Sequence, residues 1–306
     1  MSNLTNEEKW DALCVDVTQR YPVLASVWNG CLPRYGSEWL EDCIFSIEKV
    51  YGEITDPLPS AIIELVDSYA EFANDSMRNQ VYFERTGKYR ASNYEEVRQA
   101  CYFNEEHMNR RYLPGMLLSH FLWPQHFHML KGFKQLILPR VKNAKLFYEV
   151  GVGCGIYSKS TLEAINKIHG VGFDISQYSL DYTANVLISF NLRHRYHLEN
   201  MDIKTGYSTK CDFLICQEVL EHLENPDEFC LWLANLIRPG GHGYITAALN
   251  AAHSDHIFLF QTPSELEDMV RGAGLQPLHM HEECALGYKE RHLTPSLCGI
   301  FCEKPL

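Results

Sequence analysis

Residues 146–155, Leu-Phe-Tyr-Glu-Val-Gly-Val-Gly-Cys-Gly, constrain this chain more than any other stretch. A short apolar run that breaks into alternating glycines reads as a buried strand feeding a tight turn. Gly151, Gly153 and Gly155 let the backbone come close to a ligand, and the helix expected over residues 157–168 aims its free N–H groups at the same spot. The stretch is therefore expected to cradle a cofactor. Its spacing, Glu-x-Gly-x-Gly-x-Gly, differs from the Gly-x-Gly-x-x-Gly of a dinucleotide site, and no Lys-Ser/Thr follows as a phosphate loop requires. The ligand is not expected to be held by a pyrophosphate.

Downstream, strands and helices alternate. A second strand over residues 169–174 ends in Asp174, nineteen residues after Gly155, where a doubly wound sheet places the carboxylate that accepts from ribose hydroxyls. A helix around residues 182–190 and a strand over 196–201 lead to Asp202. Residues 211–216 form a fourth strand that runs into Gln217-Glu-Val-Leu-Glu-His222. A helix over 226–237, a turn at Arg238-Pro-Gly-Gly241, a fifth strand over 243–247 and a helix over 263–272 follow. Residues 276–282 and 297–303 are expected to pair as a terminal antiparallel hairpin. That alternation is an α/β parallel sheet with an antiparallel edge.

Residues 1–140 read as a helical region, distinct from the α/β part over 141–306. Thr5-x-x-Glu8 is a capping box, and Ser37 is expected to cap a helix with Trp39, Leu40, Cys43, Ile44, Ile47 and Val50 on one face. A third helix is expected over residues 61–72, and Asn93-x-x-Glu96 opens a fourth carrying Val97, Ala100 and Cys101. Residues 102–133 are rich in aromatics and histidines, among them Tyr112, His120, Trp123 and His126. Aromatics at helical spacing serve core packing, but a segment just ahead of the cofactor strand is also well placed as a lid or pocket wall, and these four are the expected substrate contacts.

The ordered motifs after residue 144 resemble class I S-adenosylmethionine (SAM)-dependent methyltransferases over residues 144–304. The resemblance implies a Rossmann-like, doubly wound, mostly parallel sheet with an antiparallel C-terminal hairpin. It also implies that Glu149 and the glycines Gly151, Gly153 and Gly155 sit against the methionine and ribose of SAM, and that Asp174 binds the ribose hydroxyls. Asp202, with Met201 and Ile203, would border the adenine, with Phe173 and Ile175 near the ring and Gln217 at the cofactor's edge. Methyl displacement at a sulfonium needs alignment and, where required, removal of a proton, but no covalent enzyme intermediate. Cys154 and Cys216 are therefore not read as nucleophiles.

On a helix start, Glu218, Glu221 and His222 at positions i, i+3 and i+4 would face one way. That is half of a metal site, and His256 in His253-Ser-Asp-His256 could complete it. Mg²⁺ or Mn²⁺ suits the oxygens, and zinc or iron values the imidazoles. Glu-x-x-Glu-His followed by Asp-His-x-Phe is similar to plant small-RNA 2'-O-methyltransferases and ubiquinone-pathway O-methyltransferases, which implies Glu218, Glu221, His222 and His256 as ligands. The open alternative has the acids capping a helix N-terminus and His222, or Glu218, acting as a metal-free catalytic base.

With 27 basic against 39 acidic residues and a net charge of -12, the chain repels a phosphate backbone, which counts against RNA ribose methylation. The polar, acidic start and the lack of any long apolar stretch point to neither secretion nor a membrane. Eleven cysteines without Cys-x-x-Cys pairs suit a reducing, cytoplasmic compartment. The sequence thus reads as a SAM-dependent methyltransferase acting on a small molecule, with oxygen the first expected acceptor, nitrogen and carbon left open, and a divalent metal ion as a further cofactor open against a metal-free site. A catalytically idle SAM-binding scaffold or partner subunit is the rival from another class. The oligomeric state is not readable.

Overall fold

A computed structural model describes residues 4–306. The α/β part is a seven-stranded sheet in the order β3-β2-β1-β4-β5-β7-β6. Its strands are β1 (Leu146–Val150), β2 (His169–Asp174), β3 (Tyr196–Asn200), β4 (Cys211–Cys216), β5 (Ile237–Leu249), β6 (Gln276–Cys284) and β7 (Ser296–Glu303). The first five run parallel, and β7 is antiparallel to both β5 and β6. The expected architecture is therefore present, terminal hairpin included.

Successive strand residues point to opposite faces, and both faces here are buried. Phe147, Phe213, Ile215, Tyr244 and Phe301 enter one hydrophobic cluster, while their neighbours Tyr148, Leu214, Cys216, Ile245, Ile300 and Cys302 enter the other. The second face is covered by α11 (Pro226–Leu236) and α12 (Pro263–Gly272), whose buried residues Phe229, Leu233, Leu266 and Val270 join its cluster. On the first lie α9 (Ile156–Ala164) and α10 (Gln177–Ser189). They share that cluster with residues of the N-terminal helices, so one apolar core runs without a break through both parts of the chain.

The N-terminal helices are α1 (Asn6–Arg20), α2 (Ala25–Tyr35), α3 (Ser37–Tyr51), α4 (Ser60–Thr86), two short turns α5 (Tyr94–Val97) and α6 (Glu105–His107), α7 (Leu113–Leu122) and α8 (Pro124–Gly132). The capping box at Thr5 and Glu8 is formed, but Gly36 rather than Ser37 precedes the first turn of α3. Trp10, Trp28 and Trp39 pack ring on ring, and the Trp39 indole donates to the Phe121 carbonyl at 3.0 Å. The helix expected over 61–72 runs fourteen residues further, to Thr86. Its polar second half still has a buried side, where Asn79, Gln80 and Phe83 face inward. Asn93 caps as expected, yet the helix widens into π turns over Arg98–Tyr102 and again over Met108–Tyr112. The Arg238-Pro-Gly-Gly241 turn lies inside β5 as an irregularity, with the register slipping between Cys211 and Phe213 of β4 and Gly240 at φ +69°.

Two features of this region set the site's walls. Gln80 on α4 clamps the loop after β5, donating from Nε2 to the Asn250 carbonyl at 3.1 Å and accepting from the Ala252 N–H at 2.9 Å. Gly115 lets α7 lie against α4, since a Cβ there would come within 2.4 Å of Phe72 Cβ. Among the described residues no helix is long and apolar enough to cross a membrane.

Gly115→Ala is expected to overpack this seam and destabilise by about 1–3 kcal/mol, read as a lower urea midpoint at unchanged slope. Gly272→Ala, at a helical position with nothing within 4 Å, is the control and should be neutral or slightly stabilising.

Candidate active site

In the sheet order the chain leaves β1 toward β2 and β3, then returns to β4 on the other flank of β1. The loops after β1 and β4 therefore part at a topological switch point, where such sheets bind ligands. They nearly touch. A Cβ on Gly151 would come within 2.5 Å of Val219 Cγ2, and Gly151 itself sits at φ +77°. A cavity of about 610 Å³ opens there and extends between the sheet and the N-terminal helices.

On the cofactor side, Gly151 and Gly153 line the cavity together with Glu149, Asp174, Ile175, Met201, Asp202, Ile203 and Gln217. Gly155 does not; it starts α9 at φ +75° and packs on Thr183 of α10. Asp174 accepts from the Ser176 N–H at 2.8 Å, and burial pushes its carboxyl up to about 6 against the opposing pull of nearby backbone N–H groups. Burial drives the Glu149 carboxyl up to about 8, and it is tied to the hydroxyls of Ser158 and Tyr196, so at neutral pH it is a protonated tether between β1, α9 and β3. Asp202 caps the turn after β3 through the Lys204 N–H at 3.0 Å. Gln217 Oε1 is buried without a hydrogen-bond partner.

The helix start expected at residues 218–222 does not form. Glu218 takes a left-handed backbone, φ +49°, with its N–H donated to Thr246 Oγ1 at 3.0 Å, and only a three-residue 3-10 turn, Leu220–His222, follows. Without the 3.6-residue period the expected common face of Glu218, Glu221 and His222 is lost. The four expected metal ligands divide instead. Donor atoms of Glu221, His222 and His256 lie within 4.8 Å of one another, whereas Glu218 groups at the same spacing with His120 and His126.

In the first group, His222 Nδ1–H donates to the Asp255 carbonyl at 3.1 Å and His256 Nδ1–H to the Ala251 carbonyl at 2.7 Å. Each ring is thereby left with an Nε2 lone pair. Burial lowers His256 to about 3. Glu221 is fully buried; Oε1 accepts from the Ala248 N–H at 3.0 Å and Oε2 has no partner. Burial raises its carboxyl to about 8, and His222 opposes that rise. Behind them, buried Asp255 takes the His253 Nδ1–H at 2.8 Å and the Tyr102 hydroxyl at 3.2 Å. Burial alone would raise Asp255, but His222 and His253 outweigh it and hold the carboxyl well below its usual range.

The expected substrate contacts Tyr112, His120, Trp123 and His126 all line the cavity, beside Tyr69, Phe72, Met108 and Met116. Trp123 donates to the Tyr69 hydroxyl at 3.0 Å and stands edge-on to His126, with ring centroids 4.9 Å apart. Burial pushes His120 down to about 4 and His126 well below its usual value, so both rings are neutral at pH 7. Sequence reasoning gave no role to Tyr102, Thr246 and Gln80, nor to Asp255 although it stands in the Asp-His-x-Phe motif. None carries a spacing signal, because each acts on a partner 28 to 172 residues away or, for Asp255, across a sharp turn.

Residues 148–242 match the family described as "Methyltransferase domain". Among curated proteins, the "Ubiquinone biosynthesis O-methyltransferase" of Aromatoleum aromaticum is 28% identical over 43% of this chain and 64% of its own length. The protein of the same name from Coxiella burnetii is 33% identical over 37% of this chain and 46% of its own. The chain thus spans about half to two thirds of these relatives. Among solved structures, an O-methyltransferase family protein from Burkholderia thailandensis matches 98% of this chain and 93% of its own, with TM-score 0.55 at 14% identity, so the helical region shares the likeness in fold. Residues 148–242 are thus similar to a methyltransferase domain, and the strand order and glycine loop agree with the class I SAM-dependent fold.

Proposed function

We propose that this protein transfers a methyl group from SAM to a hydroxyl oxygen of a small molecule. The observation that carries the reading is the continuity of one cavity, from the glycine loop and Asp174 to the carboxylate and histidine groups on the far wall. Cofactor and acceptor would share an enclosed space, which is what alignment for an in-line displacement needs. The names of the curated relatives support oxygen as the acceptor atom.

SAM, when bound, supplies an electrophilic methyl group. Asp174 accepts from its ribose hydroxyls, and Met201, Asp202 and Ile203 border the base. Phe72, Tyr112 and Trp123 hold the acceptor and keep water out, so the region over residues 1–140 works as the pocket's cap on the α/β domain. Glu221, His222 and His256 fit a divalent ion, because the unpartnered Glu221 Oε2 and two pre-set Nε2 lone pairs converge. Such an ion supplies Lewis acidity to an acceptor oxygen, and two nitrogens with one oxygen favour zinc or iron over magnesium. Glu218, whose carboxyl burial pushes up to about 7, is the group we assign to receive the acceptor's proton; where no ion is held, His222 is free to do so. All eleven cysteines are unpaired, which supports a reducing, cytoplasmic location.

SAM affinity should fall as pH drops below about 6, by up to tenfold per unit, because only ionised Asp174 accepts both ribose hydroxyls. Asp174→Asn should bind weakly at every pH and lose that slope. Isothermal titration from pH 5 to 8 reads both; an unchanged slope in the variant counts against the role.

Incubation with SAM and a panel of hydroxylated small molecules, followed by mass spectrometry, tests the activity itself. Transfer that stops on chelation, returns with a divalent ion and is at least 100-fold slower in Glu221→Gln is the expected result. Tight SAM binding with chelator-insensitive transfer would remove the ion and leave Glu218 or His222. Absence of SAM binding would overturn the assignment.

A further inference from the structure

The second cluster, His120, His126 and Glu218, joins the helical cap to the sheet domain. His120 and His126 stand on α7 and α8, and Glu218 on the loop after β4. One carbonyl orients both rings. Met116 O accepts from His120 Nδ1–H at 2.8 Å and from the Ser119 hydroxyl at 2.7 Å, and Ser119 Oγ in turn accepts from His126 Nδ1–H at 3.0 Å. With both Nδ1 hydrogens committed, the two Nε2 atoms offer lone pairs and no proton. His126 Nε2 lies 3.9 Å from Glu218 Oε2, too far for a hydrogen bond, and a ring nitrogen of His120 falls within 4.8 Å of the same group. Among the described residues no side chain or N–H donates to the Glu218 carboxylate, and no Lys or Arg pairs with it. Two imidazole nitrogens and a carboxylate oxygen converge within 4.8 Å, a repulsive set that a proton on Glu218 or a bound cation relieves.

We propose that His120, His126 and Glu218 form a second metal site, for a divalent transition-metal ion, that pins the helical cap to the methyltransferase domain. The donor set of two imidazoles and one carboxylate selects zinc, iron or cobalt over magnesium or calcium. Three protein ligands leave coordination positions open toward the cavity. The rings are locked from behind, Trp123 against His126 and Tyr157 against His120, so little reorganisation is needed. The site itself is independent of the ion assigned to Glu221, His222 and His256. One consequence does rest on the reading above: an ion here competes with the proton for Glu218, so transfer should slow as this site fills.

Co²⁺ titration of the full-length, chelator-stripped protein tests the site, with visible d–d absorption and elemental analysis giving equivalents per chain. Two equivalents are expected for the wild type and one for His120→Ala/His126→Ala, while Glu221→Gln/His222→Ala keeps the equivalent that the former loses. His126→Gln and Glu218→Gln, nearly isosteric, guard against misfolding and should each weaken that equivalent at least tenfold while leaving the far-ultraviolet spectrum unchanged. A wild type that takes one equivalent, lost in the His120/His126 variant, supports this site and removes the other ion. Uptake lost only in the Glu221/His222 variant, unaffected by all three changes at His120, His126 and Glu218, or absent from the wild type, overturns the proposal.

Discussion

The structure turns on the approach of two backbones at the switch point between β1 and β4. Gly151 and Val219 lie so close that a single methyl group would collide, and the left-handed φ at Gly151 is what turns the chain away from β1 at that distance. This contact fixes the glycine loop, and with it the start of α9 and the position of Asp174 opposite Gly153. From the other side it fixes the segment from Gln217 to His222, of which Glu218 and His222 line the far wall. The glycine-loop wall and the wall from Gln217 to His222 are therefore two faces of one close contact.

Burial of so much polar surface raises the question of what balances it. The cavity wall contains Glu149, Asp174, Glu218, His222 and His256 but few basic residues, and each acid finds a different solution. Glu149 stays protonated between two hydroxyls, Asp174 leans on backbone N–H groups, and Asp255 collects imidazole N–H groups behind the wall. Glu221 and Glu218 are less fully settled: Glu221 accepts only the Ala248 N–H through Oε1, Glu218 accepts from no protein donor among the described residues, and burial raises both carboxyls.

The centre of the sheet was legible in the sequence because both faces are buried there and β1 and β4 read as near-continuous apolar runs bounded by turn residues. β2 and β4 begin and end where the residue pattern says, as does α12. Helix lengths were less so. α4 continues past Phe72 because Asn79, Gln80 and Phe83 bury one side of a polar segment, and that burial depends on the loop after β5, some 170 residues away. Within the site, residue identity was legible where geometry was not. Glu218, His222 and His256 line the cavity and Glu221 lies buried behind it, but a helical period does not hold where the chain instead places a left-handed glutamate. Nothing local announces that: glutamate has no preference for positive φ, and the Thr246 hydroxyl that holds its N–H belongs to a neighbouring strand.

That glutamate carries a cost of roughly 1–3 kcal/mol in backbone strain, and no helix cap or turn requirement demands it. With this backbone the two acids group apart, Glu221 with His222 and His256 and Glu218 with His120 and His126, so that each group holds one carboxylate and two imidazoles. The division is possible only because α7 and α8 bring their histidines to the sheet's carboxyl edge. The N-terminal helices accordingly supply polar groups, His120 and His126, to the cavity wall as well as apolar ones.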